Sequence, residues 1–174
     1  MKLRNDEELI INKVKKEDAK EMIEYLNLIG GESDNLTFGE NGFNRSLEEE
    51  QNFIEELSKA KTSALLVGRI NDEIVCTASI ISPTKERLAH QCTIGMSVKK
   101  KYWNNGIATY LLSEVISFAR ENGVTEIIHL GVRSENIIAR KLYKKFGFEE
   151  IGINKKYFKI DEKYFDEILM NLYL

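Results

Sequence analysis

The chain has 174 residues, enough for one ordinary domain with a core of its own, expected to span 1–174. Apolar residues make up 43% and charged residues 30%, and the net charge of -3 speaks against a protein that coats nucleic acid. No run approaches the ~18 apolar residues of a membrane span, and the opening MKLRNDEELI lacks the apolar stretch of a signal peptide, so a cytoplasmic setting without membrane contact is expected.

Glu8 to Val14 (ELIINKV) is short, rich in Ile and Val, and reads as a strand. The next segment carries Ala19, Met22, Ile23, Leu26 and Ile29 at helical spacing, with Gly30-Gly31 as a stop. A polar, acidic loop follows. Ser46 then precedes LEEEQNFIEEL with Glu49 three residues on, a capping-box signature for a second helix. Three β-rich runs come next, SALLVGRI, EIVCTASIIS and RLAHQCTIGMSV, with Asn71-Asp72 as a hairpin turn between the first two. Cys76 and Cys92 lie inside these runs and read as buried, reduced thiols. A third helix runs from Gly106 to about Glu121, with Asn122-Gly123 as a left-handed cap. TEIIHLGV is nearly continuous in its apolar character, as a strand covered on both faces is. NIIARKLYKKFGF reads as a fourth helix closing at Gly147, and EEIGINKKYFKI and YFDEILMNLYL as two final strands. This order predicts one α/β layered unit: a mixed central sheet of about seven strands with four helices packed on both faces. The last stretch, FDEILMNLYL, can complete that sheet or pair with a second subunit in a homodimer.

The junction VKKKYWNNGIATYLL raises a chemical question. A strand feeding straight into a helix leaves amide donors unpaired at the positive end of the helix dipole. Gly106 and Ala108 keep the approach to those donors clear, and Lys99, Lys100 and Lys101 add positive charge beside them. The pattern suits a phosphate, though a plain strand–helix junction with solvated lysines explains it too. It is neither a P-loop nor a dinucleotide fingerprint, since the required glycine and lysine spacings are absent.

Taken together, GMSVKKKYWNNGIATYLL and LGVRSENIIARKLYKKFGF resemble the GCN5-related N-acetyltransferase (GNAT) family, and the resemblance runs from about Glu8 to the C-terminus. The family's Gln/Arg-x-x-Gly-x-Gly/Ala loop corresponds to Trp103-Asn104-Asn105-Gly106-Ile107-Ala108, with Trp103 at the Gln/Arg position. A second signature is matched by Asn136, Ala139, Leu142, Tyr143, Lys145, Gly147 and Phe148. The resemblance implies acetyl-CoA as cosubstrate, no metal, and an amine acceptor. It implies that the pyrophosphate rests on amides from Trp103 through Thr109, that pantetheine runs along the strand edge of Met96, Ser97 and Val98, and that Asn136 is both helix cap and ligand contact. Gly95 would supply a bulge bending its strand away from the neighbour.

Tyr143 matches the family's general acid, the group that protonates the departing thiolate. The glutamate that several relatives use as a base falls here on Cys92. Cys92 could act as a nucleophile or simply fill the core, and His90 and His129 could relay protons or be structural. The preferred reading is direct attack of a primary amine, of a small molecule or peptide, on the thioester, with deprotonation through water or backbone carbonyls. Gly30 to Glu50 holds Glu32, Asp34, Glu40, Glu48, Glu49 and Glu50 against Arg45 alone, which suits a cationic amine, though an acidic surface that simply keeps the helices solvated explains it equally well. The alternative is a non-catalytic acyl-CoA-binding module. A nucleotide-binding regulator has no second motif behind it.

Overall fold

The computed structural model describes residues 1–3 and 6–174. The elements follow the expected order: β1 (Ile10–Lys13), α1 (Ala19–Gly30), α2 (Leu47–Lys59), β2 (Ala64–Ile70), β3 (Glu73–Ile81), β4 (Gln91–Val98), α3 (Ile107–Glu121), β5 (Ile127–Arg133), α4 (Ile137–Lys145), β6 (Glu149–Ile160) and β7 (Lys163–Tyr173). The seven strands form one sheet in the order β1-β2-β3-β4-β5-β7-β6. Every neighbouring pair is antiparallel except β4 and β5, whose parallel pairing requires the crossover that α3 provides. The mixed α/β sheet expected from sequence is the observed architecture. FDEILMNLYL completes the sheet, because β7 is paired on both sides and has no edge left for a second subunit.

Local chemistry explains most element ends. Asn71 and Asp72 both take positive φ (49° and 65°), the two-residue hairpin turn whose twist matches its flanking strands. Asp161 and Glu162 (φ 46° and 62°) join β6 to β7 in the same way, a turn their residue types do not announce. The Ser46 hydroxyl accepts the Glu49 amide at 3.2 Å and the Glu49 carboxylate accepts the Ser46 amide at 2.7 Å, so the capping box is complete.

Two expectations are corrected. The third β-rich run starts at Gln91 rather than Arg87, and Glu86–Leu88 form a 3-10 turn. The reason is supply of partners: β3 ends at Ile81, opposite Thr93, so residues 87–90 have no β3 strand to pair with. Gly95 makes no bulge either. It pairs with Ser79 in an unbroken register between Cys76↔Val98 and Ile81↔Thr93.

The two sheet faces are covered unequally. On one, α3 and α4 bury Ile107, Leu111, Leu112 and Val115 against Ile94, Ile128, Leu130 and Met170. Each such side chain contributes about 1.5–3 kcal/mol. On the other, α1 and α2 bury Met22, Tyr25, Ile29 and Ile54 against Leu65, Val67 and Ile74. The apolar part of that second cover lies on the β1–β3 side, and Thr93, Gly95 and Gly131 on the same face remain exposed. Both cysteines are buried free thiols. No helix among the described residues is long and apolar enough to cross a membrane.

Candidate active site

β4 and β5 pair only at Gln91↔Ile127, Cys92↔Ile128 and Thr93↔His129. Beyond that point β4 stays with β3 and β5 stays with β7, so a wedge opens between them. Strand alternation decides which groups face it. The Lys99 amide donates to Val75 O at 2.9 Å, so Ser97 and Gly95, in the same phase, turn their main-chain groups towards β3. Met96 and Val98 turn theirs into the wedge. Val98 O is occupied, accepting the Trp103 indole N–H at 2.7 Å, which leaves the Val98 N–H and both Met96 groups facing the opening.

Ser97 is therefore not on that edge, contrary to the sequence reading. Its hydroxyl lies on the other side, 3.0 Å from the Tyr25 hydroxyl and 3.1 Å from Thr77 Oγ1. Trp103 is also reassigned. Its amide already donates to Lys100 O at 3.1 Å, so its contribution is the half-exposed indole that braces the end of β4.

The turn into α3 has the expected form. Asn104 and Gly106 take positive φ (64° and 79°), and Asn105 Nδ2 ties the loop to Tyr102 O and Trp103 O, each at 3.2 Å. The first helical bond is from the Tyr110 amide to Gly106 O at 3.0 Å. Among the described residues nothing accepts the amides of Asn104, Asn105, Gly106, Ile107, Ala108 and Thr109. Six main-chain donors at one helix start make a competent anion cradle. Glycine is needed at 106 for conformation rather than space: a Cβ there would meet only Met1 Cε at 3.9 Å, but φ lies in the left-handed region. The lysine run adds less charge than its sequence suggests. Glu73 takes both Lys99 (2.7 Å) and Lys101 (3.0 Å), and the two ammonium groups hold its carboxyl below the usual range.

Tyr143, on α4, faces the α3–α4 core, its ring packed on Phe148 with centroids 5.6 Å apart. The residue is only 9% exposed, and its hydroxyl, which has no hydrogen-bond partner among the described residues, is not closed off from solvent. Burial pushes the phenol up to about 12, so it stays protonated at neutral pH. Asn136 caps α4, its Oδ1 accepting the Ala139 amide at 3.1 Å, and its Nδ2 is left for another partner. Arg140, one turn from Asn136 on α4, is held by Glu150 and Ser134 O.

Other side chains considered for proton transfer are spent. Cys92 is fully buried and its thiol is pushed up to about 11 by that burial, which leaves it a core filler. His129 meets Asn171 Oδ1 at 2.6 Å and Gln91 Oε1 at 2.8 Å, using both ring nitrogens. His90 meets Gln91 Nε2 at 3.1 Å. The acidic loop is partly committed as well. Glu32 accepts the Lys100 amide at 2.6 Å, Glu49 serves the helix cap, and buried Glu50 pairs with Arg45 at 2.8 Å. One carboxylate was missed in the sequence. Glu167 of β7 is 8% exposed and stands over Gly131 of β5, beside the wedge.

A splayed parallel pair with a free-amide helix start below it and a mixed sheet around it defines an acyltransferase-type fold, and the comparisons give the family. Residues 32–148 match the model of the Acetyltransferase (GNAT) family, and the chain belongs to it. Its curated relatives include the L-amino acid N-acetyltransferase AaaT of Escherichia coli (strain K12), 32% identical over 105 residues, a match covering 60% of this chain and 65% of AaaT. The chain thus spans just under two thirds of that relative's length. A GNAT-family acetyltransferase from Streptococcus pneumoniae superposes with a TM-score of 0.93 at 28% identity, over 96% of this chain and 100% of that one. The yncA protein of Salmonella typhimurium, solved with its cofactor acetyl-CoA, shares the fold with a TM-score of 0.82 at 18% identity, over 95% of this chain and 94% of that one.

Proposed function

We propose that residues 1–174 form one acetyl-CoA-dependent N-acetyltransferase domain that moves an acetyl group to a primary amine of a small molecule or peptide. The observation that carries the chemistry is the Tyr143 hydroxyl, nearly buried, protonated at neutral pH and free of any protein partner. A phenol whose ring packs in the core while its hydroxyl is left without a protein partner can give its proton to a group in the wedge. A thiolate leaving from the wedge is such a group, and Tyr143 is the general acid.

The remaining groups suit the same reaction. Amides of residues 104–109 hold the pyrophosphate, in a site whose donors are main chain and need no arginine. The Met96 N–H and C=O, and the Val98 N–H, pair with pantetheine as a strand edge does. Asn136 Nδ2 supplies a further polar contact. The acceptor is read as a cationic amine, supported by those loop carboxylates that the fold leaves uncommitted.

The test is release of free thiol from acetyl-CoA in the presence of a panel of primary amines, run beside thermal stabilisation by CoA alone. Thiol release that depends on the amine supports the reading. Stabilisation by CoA with no thiol release from any amine favours the non-catalytic acyl-CoA-binding module.

A further inference from the structure

On the sheet face that α1 and α2 leave uncovered, β4 and β5 each carry a glycine at the mouth of the wedge. Continuing the register Thr93↔His129 by two residues sets Gly95 level with Gly131, and both are exposed. Neither strand places a side chain in this opening. A small molecule therefore has a path from the open face towards the Met96 main chain.

Glu167 leans into that path. A Cβ on residue 131 would collide with the Glu167 carboxylate oxygen Oε1 and come within 3.1 Å of its Cγ, so glycine is what lets the carboxylate lie there. Oε2 accepts from Asn154 Nδ2 at 2.8 Å, while Oε1 has no partner among the described residues. Nor does any cation pair with Glu167 there. Arg133, its cross-strand neighbour, turns its terminal nitrogens to Glu135 (2.8 Å) and Asp34 O (3.2 Å) and its plane to the face of Phe165 (3.9 Å), while its buried Nε has no hydrogen-bond partner among the described residues. Oε1 is unpartnered yet not closed off from solvent, so an ammonium group arriving along the open face can reach it and complement its charge.

We propose that Glu167 receives the ammonium group of the acceptor over Gly131 and takes its proton, supplying from β7 the base that β4 lacks. This rests on the acetyl-transfer reading above. The ammonium proton passes to Glu167 Oε1, and the freed nitrogen lone pair forms the C–N bond to the acetyl carbon. The C–S bond breaks, the CoA sulfur takes the Tyr143 phenolic proton, and the second nitrogen proton restores that phenol. Glu167 returns its proton to solvent. The substrate class is a primary amine that is protonated when it arrives.

The experiment uses wild type, Glu167→Gln and Gly131→Ala, with putrescine, glucosamine and a tripeptide with a free amino end as probes. Two readouts are taken: thiol release from acetyl-CoA, and calorimetric binding of the amine to protein saturated with CoA. Glu167→Gln is expected to lower kcat/KM for the best amine by about 100-fold or more, to abolish its binding, and to leave KM for acetyl-CoA unchanged. With hydroxylamine, which is neutral at pH 7, the loss is expected to be within about threefold, because no proton must be removed first. Gly131→Ala displaces the carboxylate without removing it and should give the same pattern, which carries the test if Glu167→Gln folds poorly.

Full amine turnover in both variants overturns the proposal. So does an equal loss with amines, hydroxylamine and CoA, which marks a structural role. If wild type releases no thiol but binds the amine through Glu167, the acetyl-transfer reading fails and the ammonium site stands. If wild type neither turns over nor binds any probe, both fall.

Discussion

Tyr25 and Tyr143 occupy opposite faces of one sheet and look alike by burial, at 3% and 9% exposed. Burial raises the pKa of both phenols. They differ in one respect. Tyr25 meets Ser97 Oγ at 3.0 Å, and Ser97 in turn meets Thr77, so its hydroxyl is part of the packing between α1 and β4. Tyr143 has the same surroundings in kind but no such partner. Depth and titration behaviour do not separate these two phenols. The hydrogen-bond account does.

The sharpest way to break the comparison is to remove both hydroxyls in turn. Tyr143→Phe should lower thiol release by about 10²–10⁴-fold while CoA affinity and the thermal midpoint hold, since no protein hydrogen bond is lost. If instead it costs stability and leaves turnover intact, the contrast collapses. Gly106→Ala comes next. An alanine at φ +79° costs about 1–2 kcal/mol of strain, and relieving it would turn the cradle amides away. A raised Kd for CoA by calorimetry, alongside a lower midpoint, is the expected pair of results.

Tyr25→Phe should do the opposite of Tyr143→Phe, costing about 1 kcal/mol in denaturant unfolding with thiol release within about twofold of wild type. The smallest effect concerns pH. The Tyr143 phenol is raised from 10.0 to about 12, so its folded form holds the proton longer than its unfolded form does. Stability from this source is complete below pH about 10 and is lost between about 10 and 12. The unfolding midpoint of Tyr143→Phe should therefore fall less steeply than that of wild type over that interval.

The element order, the unpaired amides at the start of α3 and the place of Tyr143 on α4 were legible in the sequence because each is written locally: in a hydrophobic period, a glycine at a helix start, a cap three residues from its partner. What escaped notice depends on phase and pairing. Ser97 belongs to the far side of β4 because strand residues alternate, and that phase is fixed only by the Lys99 to Val75 bond. Trp103 sits at a position read as a ligand contact, yet its indole reaches back five residues to Val98 O. Glu167 and Gly131 are far apart in the chain, and nothing in either segment says that one lies over the other until β5 and β7 are set in register.

That register has a further consequence for synthesis. β7 is made after both β5 and β6, yet it lies between them in the interior of the sheet. A growing chain therefore holds β5 with an unpaired ladder edge until residues 163–173 have left the ribosome, and β6 waits with nothing to dock on. Translation products halted before residue 163 would carry an open edge of the kind that pairs with other chains.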